Sequence, residues 1–168
     1  MLIRIAGITQ DSIVDGPGLR LAVFVQGCPH DCDGCHNPQT HRFDGGRLID
    51  TSEIVAMMDG NPLLVGITLT GGEPFCQPDA CIELAKAARE RGLSVWIYTG
   101  YTYKHIVTDT RNAVMRRLLT LADVLVDGPY IEELRTLDAP WRGSRNQRLI
   151  DVRRSLTEGR RIEWEAKT

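Results

Sequence analysis

Three cysteines lie within eight residues of one another in the stretch GCPHDCDGCHN, as Cys28, Cys32 and Cys35. Spacings of four and three would put them on one face of a helix, but the glycines and prolines around them predict a loop. A disulfide would use only two of the thiols and would be reducible in the cytosol. A soft metal ion or an iron-sulfur cluster binds all three as thiolates. The stretch therefore predicts a metal centre.

The residues alone leave the identity of the metal open. A structural zinc ion needs four protein ligands, and His30, His36 or His41 is available as the fourth. Zinc modules usually present two separated ligand pairs, whereas a compact trio leaves one iron of a [4Fe-4S] cube without a cysteine. We expect Cys76 and Cys81 to be small core or helix residues. The trio favours a cluster with one open iron, and zinc remains the alternative.

A second motif, LTGGEPF, follows an apolar run and contains Gly71, Gly72, Glu73 and Pro74. Two glycines at the end of a strand let a small ligand approach the backbone closely. Taken alone, such a stretch is commonly just a turn with a solvated carboxylate. Beside a three-cysteine loop it predicts a ligand-binding cradle.

Alternating strands and helices must position these motifs. Apolar runs bounded by turn residues predict buried parallel strands at 19–26, 64–70, 94–98 and 124–127. Helical patterns between them cover 52–59, 79–91 and 112–121. This order predicts an α/β fold with its chemistry at the carboxyl ends of the strands. A full eight-stranded barrel needs about 250 residues, so we expect a single domain over 1–168, a partial (β/α)6-type barrel of roughly six strands.

The overall composition excludes several classes of partner. The 20 Lys and Arg residues nearly balance the 22 Asp and Glu residues, so no global field attracts nucleic acid. No run approaches the roughly 18 apolar residues that a membrane span needs. The first residues lack the pattern of a secretory signal peptide, so we expect a cytoplasmic protein without a nucleic-acid or membrane partner.

The spacing CxxxCxxC after one strand, followed by GGEP after the next, resembles the radical S-adenosylmethionine superfamily. Further blocks resemble, within it, the activating proteins of anaerobic ribonucleoside-triphosphate reductase. These blocks are DGPGLR (15–20), FVQGC, CHN, WIYTGY (96–101), VLVDGPY (124–130) and WRGSRNQR (141–148). DGPG and the cysteine loop are shared with activators of other glycyl-radical enzymes, such as pyruvate formate-lyase. Such an activator, or a non-catalytic zinc or iron-sulfur module, remains the alternative.

The resemblance implies that Cys28, Cys32 and Cys35 hold a [4Fe-4S] cluster, whose free iron binds the amino and carboxylate groups of S-adenosylmethionine. The reduced cluster would cleave this cofactor to methionine and a 5′-deoxyadenosyl radical. That radical would remove a hydrogen atom from a glycine in the large subunit of the reductase. An external low-potential donor such as flavodoxin or ferredoxin would supply the electron. No catalytic residue is implied beyond the ligands of the cluster and the cofactor.

The resemblance also implies roles for single residues. Glu73 and the GGEP backbone carbonyls would bind the methionyl ammonium group, with Pro74 stiffening the turn. Thr99 and Asp127, at the ends of later strands, would either contact the ribose or carboxylate or simply cap their strands. The superfamily commonly has an aromatic residue before the third cysteine, where this chain has Gly34. His36 is then the candidate for contact with adenine, and an ordinary surface histidine is the alternative.

A segment rich in arginine closes the motif-bearing region. Arg142, Arg145 and Arg148 are candidates to bind a carboxylate or to dock the partner, although exposed arginines are often merely solvated. Related activators often carry a lysine where this chain has Pro129, so any cationic contact must come from elsewhere. We expect Trp141 to be a core residue.

Overall fold

The computed structural model describes residues 1–167, and its strands form one open sheet. The sheet order is β3-β1-β2-β4-β5-β6-β7. The strands are β1 (Leu2–Ser12), β2 (Arg20–Val25), β3 (Arg47–Asp50), β4 (Gly66–Gly71), β5 (Ser94–Tyr98), β6 (Val124–Asp127) and β7 (Arg148–Asp151). β2, β4, β5 and β6 run parallel, whereas β1, β3 and β7 are antiparallel to their neighbours. The parallel strands therefore end at one edge of the sheet.

Five α-helices lie within the described residues, and side-chain caps fix where several of them begin. They are α1 (Thr51–Asp59), α2 (Pro78–Glu90), α3 (Tyr103–Thr108), α4 (Ala113–Leu121) and α5 (Val152–Glu158). Asp50 accepts a hydrogen bond from the Ser52 N–H at the start of α1, and Asn112 does the same for Met115 in α4. These caps satisfy donors that the first helical turn leaves free.

The strands alternate between two differently packed faces. On one face, residues such as Ile67, Leu69 and Ile97 are fully buried in the main core with apolar side chains of the helices. The other face carries a smaller cluster around Trp96, with Trp164 packed edge-on against it. This period of two is what a sheet covered by helices on one side requires. The second face leads to the site.

The predicted fold class, a partial α/β barrel, is confirmed. The predicted strands at 94–98 and 124–127 have the same bounds as β5 and β6. The three predicted helices agree with α1, α2 and α4 to within one residue at each end. The expected strand count was low, because seven strands occur within residues 1–167. β1 escaped prediction because its solvent-exposed half is polar, and β3 and β7 because each is the short stretch RLID, with a charged residue at both ends.

Every helix within residues 1–167 is too short or too polar to cross a bilayer.

Candidate functional site

A cavity of about 560 Å³ opens where the four parallel strands end. Its wall takes residues from the loops that follow β2, β4, β5 and β6. Among the lining residues are Cys28, Cys32, Cys35, His36, Gly71, Gly72, Thr99, Gly100, Gly128 and Tyr130. Seven candidate residues predicted from the sequence, including all three loop cysteines, thus share one cavity.

Backbone hydrogen bonds close the cysteine loop at its base. The N–H of Gly27 donates to the backbone carbonyl of Thr40 at 2.7 Å, and the N–H of Cys28 donates to the backbone carbonyl of His41 at 3.2 Å. Gly27 has a φ of +99°, and an added Cβ would lie 2.6 Å from the Phe43 ring. Only glycine combines this backbone conformation with such a close approach. The loop therefore leaves β2 in a fixed direction, with its thiols toward the cavity.

The cysteine thiols are partly withdrawn from solvent. Burial raises the pKa of Cys28 to about 11 and also raises the pKa of Cys32. The N–H of Asn37 also donates to the Cys35 sulfur at 3.4 Å. Hydrogen bonds to sulfur stabilise the anionic form and tune iron-sulfur clusters, so this contact fits a cluster held by thiolates.

Within residues 1–167, no three His, Cys, Asp or Glu side chains meet closely enough to hold a single metal ion. A cubane cluster does not need three side chains that meet at one point, because each cysteine binds a different iron atom. The three thiols need only line one concave wall, as they do here.

The glycines of GGEP are required by the neighbouring backbone. Gly71 has a φ of +90°, and an added Cβ would lie 2.6 Å from the Cα of Phe24. A Cβ on Gly72 would lie 2.4 Å from the carbonyl oxygen of Gly27. The N–H of Glu73 donates to that same carbonyl at 2.9 Å. The GGEP turn and the cysteine loop are therefore joined through their backbones.

The Glu73 side chain is completely buried and fully hydrogen-bonded. Its carboxylate accepts from the Thr99 hydroxyl at 2.9 Å, and His30 Nε2 also contacts it. Backbone N–H groups of Gly100, at 2.9 Å, and Phe75, at 3.1 Å, complete its partners. Glu73 lies behind the cavity wall and does not line it. Its predicted contact with a methionyl ammonium group stays a prediction, as does the contact of Thr99 with the ribose or carboxylate.

Pro74 is buried and begins a short 3-10 turn, Pro74–Cys76, which the Glu73 carboxylate caps. A proline at this position presets the backbone angle φ and has no N–H to leave unpaired. Cys76 is exposed at the end of this turn, so of the two expected placements, core or helix, the core one is wrong for it. Cys81 is buried in the main core, as expected.

The Asp127 carboxylate, at the end of β6, is hydrogen-bonded within the protein. It binds Arg148 through two hydrogen bonds, of 2.9 and 2.6 Å, and accepts a third from the Tyr103 N–H at 2.7 Å. The side chain is fully buried and does not line the cavity. The structure thus shows the strand-end cap, one of the two predicted roles, and it shows Arg148 binding a carboxylate. A cofactor contact by Asp127 stays a prediction.

Aromatic side chains form a further part of the wall. His36 packs against Tyr130 with ring centroids 4.9 Å apart, and both residues line the cavity. Trp141 also lines it while packing edge-on against Trp96 at 5.5 Å, so it is only partly the core residue that we expected. Sequence reasoning missed Tyr130 and Tyr98, and it considered His30 only as a possible zinc ligand. The available signal was their place inside the motif blocks.

The comparisons with known proteins agree with this geometry. A family described as "4Fe-4S single cluster domain" matches residues 14–150. An anaerobic ribonucleoside-triphosphate reductase-activating protein from Escherichia coli K12 is 35% identical over 144 residues, covering 80% of this chain and 90% of the relative. Proteins of the same name from phage T4 and Vibrio cholerae are 36% and 34% identical over 143 residues, covering 81% and 80% of this chain and 86% and 89% of theirs.

A search of solved structures found QueE from Escherichia coli, with a TM-score of 0.44 and 19% identity. The overlap covers 61% of this chain and 54% of that one, which is too weak to support an argument. The sequence relatives and the family match do support one. The chain belongs to the family of anaerobic ribonucleoside-triphosphate reductase-activating proteins and contains the 4Fe-4S single cluster domain, as its motifs predicted.

Proposed function

We propose that this enzyme installs a glycyl radical in the large subunit of anaerobic ribonucleoside-triphosphate reductase. It would act in the cytoplasm as one domain spanning 1–168. The observation that carries the proposal is the junction of the cysteine loop and the GGEP turn on the wall of one cavity. Metal chemistry and cofactor binding would then take place side by side.

Cys28, Cys32 and Cys35 are the proposed ligands of a [4Fe-4S] cluster, with one iron left for S-adenosylmethionine. Their shared cavity wall and the hydrogen bond from the Asn37 N–H to the Cys35 sulfur support this assignment. When bound, the reduced cluster supplies the electron that splits S-adenosylmethionine into methionine and a 5′-deoxyadenosyl radical. Flavodoxin or ferredoxin is the proposed class of electron donor.

The chain itself supplies binding and exclusion. The cavity volume of about 560 Å³ falls within the range of roughly 300–1,000 Å³ that is usual for small-ligand sites. Gly71 and Gly72 keep one side free of side chains, and His36 with Tyr130 offers an aromatic surface for a base. A primary carbon radical attacks most C–H bonds, so these walls must keep other hydrogen donors away.

The protein substrate must reach this cavity from outside. Two lining residues, Val14 and Leu137, are 72% and 89% exposed and mark the rim. A glycine on a flexible loop of the reductase would pass this rim and give one hydrogen atom from its Cα. The products are 5′-deoxyadenosine and a carbon-centred radical on that glycine.

The test is electron paramagnetic resonance on the anaerobically reconstituted protein, reduced with dithionite and mixed with S-adenosylmethionine and a candidate partner. The proposal predicts a glycyl-radical doublet with the large subunit of anaerobic ribonucleoside-triphosphate reductase. A doublet with pyruvate formate-lyase alone would assign the other activator class. A colourless zinc protein that forms no 5′-deoxyadenosine would identify a non-catalytic module. Cys32→Ser is the matched control and should give no doublet.

A further inference from the structure

Arg142 has an unusual position on the cavity wall. Among the described residues that line the cavity, it is the one arginine, and no lysine joins it. The only lining carboxylate is Asp15, which accepts a hydrogen bond from the Ser12 hydroxyl. The cavity thus presents one permanent cation to whatever it binds.

The guanidinium of Arg142 lacks an acceptor within residues 1–167. Its Nε is buried without a hydrogen-bond partner, and none of its side-chain nitrogens forms an ion pair in this part of the chain. Arg148, six residues later, is instead bound by Asp127. A buried donor without an acceptor is costly, so the position of Arg142 indicates an external acceptor.

The backbone around Arg142 is built to present it. Trp141 adopts a φ of +58°, a conformation that side chains other than glycine rarely take. The Tyr98 hydroxyl donates to the Trp141 carbonyl at 2.8 Å, and the Gln147 side chain accepts from the Gly143 N–H at 2.9 Å. The turn is therefore held on both sides of Arg142. Such local strain persists where the surroundings impose it, often at binding sites.

We propose that Arg142 binds the carboxylate of the methionine part of S-adenosylmethionine, an inference that rests on the proposed function. The carboxylate is the single anionic group of this cofactor, whose sulfonium and ammonium groups would be repelled by an arginine. A planar guanidinium matches a carboxylate in geometry and charge. Arg142 is thus a positioning residue for the cofactor, and no lysine is needed at position 129.

The test compares two ligands by equilibrium binding to the anaerobically reconstituted protein: S-adenosylmethionine and its decarboxylated form. Arg142→Gln should weaken binding of S-adenosylmethionine about tenfold, since hydrogen bonds between charged groups are strong. It should change binding of the decarboxylated ligand by less than about twofold. Arg142→Lys keeps the charge and should recover part of the loss.

Arg145→Gln is the matched control, because Arg145 is exposed in the same segment and does not line the cavity. Its affinity for both ligands should equal that of the parent protein. Equal affinity of Arg142→Gln and the parent for S-adenosylmethionine would overturn the inference, and so would equal losses for both ligands. If Arg142→Gln takes up no iron, the affinities of Arg142→Lys for the two ligands are compared with those of the parent protein in its place. The inference then predicts weaker binding of S-adenosylmethionine and unchanged binding of the decarboxylated ligand. A reconstituted parent that binds no S-adenosylmethionine would instead refute the proposed function.

Discussion

Replacing Glu73 by glutamine tests whether this buried carboxylate organises the site. Both of its oxygens accept a backbone N–H: Oε1 from Phe75 at 3.1 Å and Oε2 from Gly100 at 2.9 Å. A glutamine has one oxygen and one NH₂ group. In either orientation of the amide, the NH₂ group therefore faces one of the two backbone N–H donors. The substitution keeps the volume and changes only the hydrogen bonding.

The expected loss follows from these contacts. One buried backbone donor is left without an acceptor, at a cost of about 1–3 kcal/mol. The Thr99 hydroxyl can reorient to accept from the new NH₂ group, so the remaining contacts together lose roughly 1 kcal/mol. We expect Glu73→Gln to lower the free energy of unfolding by about 2–4 kcal/mol.

Urea unfolding of the cluster-free protein, followed by tryptophan fluorescence and by circular dichroism, measures this loss. Glu83→Gln is the control, because the Glu83 side chain is 43% exposed and accepts from a Thr51 hydroxyl that can reorient. It should cost less than about 0.5 kcal/mol. A Glu73→Gln protein as stable as the Glu83→Gln protein would refute the account of Glu73 as an organising residue. Its affinity for S-adenosylmethionine after reconstitution then tests the predicted ammonium contact separately, and an affinity equal to that of the parent would remove that contact.

Three further substitutions have definite expected outcomes. Arg148→Gln leaves the Asp127 carboxylate buried without its cation and should cost about 3 kcal/mol in urea unfolding. Gly72→Ala places a Cβ against the Gly27 carbonyl, so it should lower the unfolding free energy by about 1–3 kcal/mol and reduce iron uptake. Cys76→Ser should leave the iron content of reconstituted protein at the parent level, because Cys76 is outside the predicted ligand set.

Each of these has a control in the same chain. Arg153→Gln changes an exposed arginine next to β7 and should leave stability unchanged within about 0.5 kcal/mol. Gly7→Ala adds a Cβ where nothing lies within 4 Å and should not affect iron uptake. Cys35→Ser should lose the cluster. Stability of Arg148→Gln at the parent level, full iron uptake by Gly72→Ala, or iron loss in Cys76→Ser would each contradict its prediction.

The parts of this fold that the sequence predicted are those with strong local signals. The runs that became β4, β5 and β6 are mostly apolar and are buried on both faces, and Gly60 and Gly92 follow α1 and α2. Because parallel strands end at one edge, the order of strands along the sequence is enough to place the two motifs together.

The details that escaped prediction depend on contacts distant in sequence. The GGEP motif predicts that Glu73 binds a ligand, whereas in the structure Thr99 and His30 contact its carboxylate. The pairing of Asp127 with Arg148 spans a β6 to β7 connection that no local pattern describes. The sequence WRGSRNQR does not distinguish Arg142 from Arg145. The geometry of the folded turn makes the difference, because Arg142 lines the cavity and Arg145 does not.

The most direct test of the central claim is pulsed electron-nuclear double resonance on the reduced, reconstituted protein with isotopically labelled S-adenosylmethionine. Label in the methionyl carboxylate and amino group reports whether these atoms bind the cluster iron. The account predicts clear couplings from both labels in the parent protein and none after Cys28→Ser. A saturated complex without these couplings, or a cluster whose four irons are all bound by the polypeptide, would contradict it.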